Sequence, residues 1–445
     1  MDTLTAARAQ MEVSLGFHMI FAALGIALPV LLIISEGLWL RTGKPHYRDL
    51  ARKWGKATAL TFAIGAVSGT ALSFELGLLW PHFMAFAGSI IGPAFALEGY
   101  AFFIEAIFIG LYLYGWDRLS AKAHWLTAFP VAISGLLSGV LVVAANAWMQ
   151  VPSGFQVVAG KVTDVNVFAA FSSPTWLTMA LHTTLSCYIA VGFAVAGVYA
   201  FGMLRGRFDD YHRSALRISL VMATIAALLQ PLSGDINARQ TAKYQPAKLA
   251  AMEAHFETQA GAPIIIGGIP DKDSGEVKWA IKIPKALSLL VAHDPDAVVT
   301  GLNDIPVSQR PNVLLTHIGF QFMVAAGFIL IALGLWFWWK YWKYRDVEGK
   351  WLLRALVAGA PLGFLALEAG WFVTEVGRQP WVIYGLMTTR EAVTPAPNVP
   401  ITFIIFTVLY LILGVILTIM LKQLSKYSPQ TAAPPANQED IKDAA

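Results

Sequence analysis

Long apolar runs separated by short charged connections dominate the chain. A helix needs ~20 apolar residues to cross a hydrocarbon core. Nine stretches approach that length: Met11 to Leu40, Ala57 to Trp80, Pro93 to Trp116, Trp125 to Met149, Thr175 to Leu204, Ala215 to Leu232, Val313 to Trp339, Trp351 to Glu375 and Pro400 to Leu421. The sixth, around Arg217 and Pro231, departs furthest from an unbroken apolar run. The pattern predicts an all-α polytopic membrane protein with about nine transmembrane helices. Two stretches interrupt it. Residues 234–311 form the only sizeable polar connection, with a short helix expected in PAKLAAMEAHFET, and 423–445 read as a polar, Pro/Ala-rich disordered tail. The chain thus divides into helices one to six (1–233), the long loop, helices seven to nine (312–422) and the tail.

Composition agrees, since only 13% of residues are charged against about 25% in soluble domains. The net charge of +4 carries no nucleic-acid signature; the partner it leaves is lipid. The single cysteine, Cys187, excludes a disulfide within the chain and any Cys-rich metal site. The first apolar run lacks a compact basic start and a small-residue cleavage site, so it reads as a retained helix. Charge placement sets direction. The connections after runs one, three, five and seven, with the tail, hold 20 of the 32 Lys and Arg residues. By the positive-inside rule the N-terminus and long loop face outward and the C-terminus is cytoplasmic.

That direction gives each intramembrane polar residue a depth. His18 is seven residues in from the outer end of its run and His182 also seven. Met323 is ten in, Glu98 five in, and Glu375 closes run eight at its outer edge. Five chemically suggestive side chains are therefore expected in one outer layer. Imidazole and thioether ligate haem iron, and a His/Met pair raises its potential. Charged groups inside a membrane are costly and usually functional. Each residue alone has a plainer account: a histidine can bond a neighbouring helix, a methionine can fill a gap, and a glutamate can sit in an ion pair. Glu98 and Glu105 are seven apart, hence on one helix face ~10 Å apart along the axis, a spacing suited to a proton path. Glu368 and Glu375 repeat it.

Several strings resemble cytochrome bd oxidase subunit I: TEVGRQPW from Thr374 to Trp381, LEGYAFFIEAIF with YGWDRL between Leu97 and Leu119, NAWMQ with the PSG after it, LHTTLSCY from Leu181, and KLAAMEAHFET from Lys248. Together they run in order through nearly the whole chain. The resemblance implies quinol oxidation at the outer face and dioxygen reduction to water. It implies His182 and Met323 as ligands of a low-spin haem b, Glu375 as ligand of a high-spin haem b, and His18, with Glu98 beside it, at the oxygen-reducing haem d or a third haem b in its place. Trp371 resembles a tryptophan between haems, Arg378 a cofactor-binding cation, Glu105 a carboxylate of the proton route taking protons from the cytoplasm without a pump. Lys248 and Glu253 resemble quinol-contacting residues; without the resemblance they read as a solvated helix face. It also implies ubiquinol as substrate, a second multispanning subunit (subunit II), a small single-span subunit beside it, and a bacterial inner membrane. Two departures stand out. Gln321 stands where many members of the family carry an arginine two residues before the methionine, and SGTALSFELGLLWPHF, with Glu75, looks like the cyanide-insensitive branch; the loop is of the short type.

A haem–copper oxidase needs a denser set of intramembrane histidines than His18 and His182. The remaining alternative is a proton-coupled secondary transporter, which would show inverted repeats and broken helices near mid-membrane and no colour.

Overall fold

The computed structural model describes residues 1–426 apart from 272, 273 and 346. Most of the tail predicted for 423–445 lies outside the described residues. The helices are α1 Thr3–Thr42, α2 Pro45–Leu79, α3 Pro81–Tyr114, α4 Ala121–Gln150, α5 Val167–Phe171, α6 Trp176–Leu204, α7 Asp210–Tyr244, α8 Pro246–Met252, α9 Ala286–Ala292, α10 Val313–Tyr344, α11 Lys350–Gly359, α12 Leu362–Val376, α13 Thr389–Ala392 and α14 Val399–Lys426. Among the described residues nine helical segments are long and apolar enough to cross a membrane, α11 and α12 together making the eighth.

All nine expected spans are present, but the helices outrun the apolar runs. α3 begins at Pro81 and continues through Pro93, which the pattern took as the start of the span. Proline is favoured at the first helical position; inside a membrane helix its lost hydrogen bond is tolerated when neighbours pack round it. Here Phe83, Ala87, Ile90 and Ile91 bury the early turns against Leu79, Trp80 and Trp148. α7 likewise runs on to Tyr244, past the expected boundary at 233, with Arg239 and Asp235 paired one turn apart at 2.5 Å. Hydropathy marks the lipid slab, not the end of hydrogen bonding. Caps define other ends: Asp2 accepts from Thr5 N at 2.9 Å, and Gly43 closes α1 at φ 68°, where a side chain is strained.

Small residues let the helices approach. A Cβ on Gly363 would lie 2.6 Å from Ala190 Cα, joining α12 to α6, and one on Gly135 would lie 2.9 Å from Gly25 O, joining α4 to α1. In lipid, such backbone proximity takes over from the hydrophobic drive.

The long loop is more ordered than the pattern suggested. α8 leads into three nested antiparallel pairs: Gln259–Ala260 with Val298–Val299, Ile264–Ile266 with Ile281–Ile283, and Ile269–Asp271 with Glu276–Lys278. α10 clamps this ribbon. His317 places Nδ1 2.8 Å from Met252 O and Nε2 3.0 Å from Gly267 O. One turn on, Gln321 accepts from Gly267 N at 3.0 Å and donates to Ile265 O at 2.9 Å. Gln321 is thus a backbone clamp, using both ends of its amide as an arginine could not.

Candidate functional site

His18 and His182 lie on different helices but share one local arrangement. His18 Nδ1 is 3.0 Å from Ser68 Oγ on α2, and that hydroxyl donates its own hydrogen to Gly65 O at 3.1 Å. His182 Nδ1 is 2.8 Å from Ser233 Oγ on α7, whose hydrogen goes to Gln230 O at 2.8 Å. A serine that has spent its hydrogen can only accept, so each ring carries its proton on Nδ1 and presents the Nε2 lone pair. A second-shell partner of this kind is what orients a metal-binding imidazole. Both rings are half-buried. The Gln230 amide, 3.2 Å from His182 Nε2, must turn aside for that nitrogen to ligate.

Helix contacts give the relative depths. Gly363 of α12 touches Ala190 of α6, and a Cβ on Gly370 would lie 3.0 Å from Met323 Sδ. Gly370 is ~10 Å along α12 from Gly363, and His182 ~12 Å along α6 from Ala190 in the same direction. His182 and Met323 therefore share a level, either side of α12. Glu105 Oε1 faces Gly25 and Gly135, 3.5 and 3.4 Å from the positions their Cβ atoms would take. His18 and Glu98 are each seven residues, ~10 Å, from that contact toward the loop-bearing end, and Ser138 Oγ donates to Glu98 at 3.2 Å. His18 and Glu98 thus share a second level, with Glu368 close by: its Oε2 would lie 3.3 Å from a Cβ on Gly16. Glu375 sits two turns beyond Glu368, in the last turn of α12. The single layer expected from the sequence is a staircase.

Glu375 anchors a buried network. Asn146 Nδ2 donates to Glu375 Oε1 at 2.7 Å, Gln150 Nε2 donates to Asn146 Oδ1 at 3.2 Å, and Lys248 Nζ donates to Gln150 Oε1 at 3.2 Å and to Thr374 O at 3.1 Å. Arg378 pairs with the other Glu375 oxygen. Arg378 is only 2% exposed, yet its Nε and NH1 have no partner. Lys248 is buried as well; burial, with the Arg378 guanidinium nearby, lowers its ammonium to about 7 although Glu375 opposes the shift. Glu253 is buried with Oε2 unpaired, and burial raises its carboxyl to about 7. The solvated face expected of Lys248 and Glu253 on bare periodicity is thus absent. Asn146 and Gln150 were legible only as part of a string; their i, i+4 spacing puts them on one face of α4. Trp371, one turn before Glu375, packs partly buried against the core that includes Leu367, as does Met19.

Among the described residues no group of three or more His, Cys, Asp or Glu could hold a bare metal ion. The donors come singly or in pairs. That set would suit an iron held in a macrocycle, which asks only one or two ligands of the protein. Arg378, with two unsatisfied buried nitrogens, suits an anionic edge such as a propionate.

Residues 6–429 match the family model for cytochrome bd terminal oxidase subunit I. A provisionally named cytochrome bd menaquinol oxidase subunit I of Bacillus subtilis (strain 168) is 39% identical over 93% of this chain and 94% of its own length. A cytochrome bd ubiquinol oxidase subunit 1 from the same organism is 32% identical over 94% and 93%. The solved bd oxidase of Geobacillus thermodenitrificans superposes with a TM-score of 0.92 at 38% identity, covering 96% of this chain and 99% of that one.

Proposed function

The chain belongs to the cytochrome bd terminal oxidase subunit I family, and on that premise we propose that it is the haem-carrying subunit of a membrane-bound enzyme that oxidises quinol, ubiquinol or menaquinol, and reduces dioxygen to water. The observation that carries the reading is the shared serine-fixed tautomer of His18 and His182. His182 with Met323 would hold a low-spin haem b, Glu375 a high-spin haem b, and His18 a third haem, d or b. Bound there, haem supplies one-electron transfer and the site of dioxygen chemistry.

The chain's own groups do the rest. Glu253, buried and lacking a partner for one oxygen, takes a proton from the quinol hydroxyl. Lys248 holds the loop helix on α12 through Thr374 O and Gln150. Glu98 and Glu105 hold and pass protons drawn from the cytoplasmic side, with no pump. The protein is multi-pass in the membrane, and relatives named as subunit 1 imply a second subunit; we place it in the bacterial cytoplasmic membrane, N-terminus and long loop outward, with subunit II and a small single-span helix as partners.

Pyridine haemochrome analysis and a reduced-minus-oxidised spectrum of the protein purified with its partner test the core of this. Haem bands are expected; a colourless preparation would end the reading. Replacing Glu105 with Gln should slow turnover on the order of 10²-fold, the scale of a lost proton-transfer group, with haem content intact. An unchanged rate removes Glu105 from the path.

Glu253 gives a pH signature. Its folded-state value of about 7 means that below pH 7 it is protonated and cannot accept, and above it can. kcat/KM for quinol should rise through pH 7 on that limb and turn down as Lys248 loses its proton. In Glu253→Gln the rising limb disappears. A rising limb that survives the substitution assigns it to another group.

A further inference from the structure

At the opposite end of the bundle from the loop, a second buried polar cluster takes no part in the functions above. Glu36 of α1, Tyr112 of α3 and His124 of α4 are 0%, 2% and 1% exposed. His124 Nδ1 is 2.6 Å from Glu36 Oε1, and its Nε2 is 2.7 Å from Tyr112 O. Tyr112 Oη donates to Glu36 Oε2 at 2.8 Å. Hydrogen counting bears on the Glu36 carboxylate. A neutral imidazole has one N–H, so beside an ionised Glu36 one of its two contacts would set lone pair against lone pair. Either the ring bears both hydrogens, or Glu36 carries one and donates it to Nδ1. In both cases the pair stores one proton more than a neutral ring with a free carboxylate, on the 2.6 Å line between them.

Helical phase places this store under Glu105. Tyr112 is seven residues on from Glu105, so Glu98, Glu105 and Tyr112 form one stripe on α3, with ~10 Å between successive members. Gly25 and Glu36 are eleven apart on α1, as are His124 and Gly135 on α4, three full turns that return to the same face. The two glycines face Glu105, and their partners eleven residues on build the cluster. All three helices turn one face to a common column.

Toward the aqueous side the column is covered, not open. Trp116 lies against His124 with ring centroids 3.9 Å apart. Arg48 and Arg52 of α2 sit over Trp116 at 5.8 and 4.9 Å, and Arg52 pairs with the exposed Asp117 at 3.5 Å. These are the charged groups that flank the cluster from α2 and from the α3–α4 connection. Gly55 of α2 lies against the Tyr112 ring.

We propose that Glu36, His124 and Tyr112 are the proton-loading station of the cytoplasmic route, from which protons pass to Glu105. This rests on the oxidase reading. Once the Tyr112 hydroxyl turns its hydrogen away from Glu36 and toward Glu105, it passes that hydrogen on through water while its oxygen takes up the proton held by the His124–Glu36 pair, and no electron moves. The three are proton-relay residues and touch no substrate.

The test uses the complete enzyme with its partner subunit in proteoliposomes, following the electrogenic proton-uptake phase on reaction of the reduced enzyme with dioxygen. Glu36→Gln and Tyr112→Phe should each slow that phase on the order of 10²-fold, with haem spectrum and Tm kept, while Glu36→Asp restores it to within about threefold of wild type. Tyr112→Phe keeps the ring packing and decides alone if Glu36→Gln does not assemble. The proposal is overturned if Tyr112→Phe keeps the wild-type phase, or if slowing tracks lost haem and Tm and Glu36→Asp does not rescue it. A wild-type preparation that consumes no dioxygen sinks the oxidase reading instead, so the two failures are distinct.

Discussion

Replacing His182 with alanine should remove the low-spin haem b absorbance and quinol oxidation in one stroke. The imidazole is held by Ser233 through Nδ1 and by its place on α6 level with Met323, and the side chain bonded to its Nε2 is the Gln230 amide. Gln230, the nearest candidate, has an amide nitrogen that can only donate. Met323 alone is a weak ligand, and a thioether without its histidine would not hold the low-spin state. The quinol rate is expected to fall by about 10³-fold or more, the scale seen when a member of a catalytic unit is deleted. A reduced-minus-oxidised spectrum read beside the quinol rate checks it. If both survive, His182 is not the ligand. Ser233→Ala should be milder, since it frees the tautomer without removing the ring.

The second large effect is expected at Glu375. Among the described residues its carboxylate is the only anion bonded to Arg378, a guanidinium already short of partners at two nitrogens and sealed from water. Lys248 reaches the same carboxylate through Gln150 and Asn146. Glu375→Ala therefore strands a buried cation, which costs about 3–5 kcal/mol. It should also lose the high-spin haem and with it dioxygen reduction. Thermal unfolding and the haem spectrum separate the two losses: adding Arg378→Gln should recover stability and not the haem. A Glu375→Ala protein as stable as wild type would show that another anion neutralises Arg378, and the network as drawn would be wrong.

Much of the architecture follows from one-dimensional pattern. Nine apolar runs give nine spans because a lipid-exposed helix must be apolar along its whole crossing, a condition any window of residues reveals. The strings around Glu375, Glu98 and Lys248 gave the family, which the match across residues 6–429 now shows. The ends of helices were less legible. The early turns of α3 and the last turns of α7 lie beyond the expected boundaries: helical hydrogen bonding continues on the far side of Pro93 in α3 and through a polar segment in α7.

What the linear chain by itself determined is the set of spans and the chemistry of their polar residues: which nitrogens, sulfur and carboxylates the membrane interior would contain. Only the tertiary structure decided which atoms of those residues are available. Ser68 and Ser233 are fifty and fifty-one residues from the histidines they orient, Asn146 is 229 from Glu375, and Glu36 is 88 from His124. Hydropathy is a sum over neighbours in sequence, whereas a hydrogen bond is set by neighbours in space. The tautomers, the staircase of levels and the stored proton belong to the second kind of information.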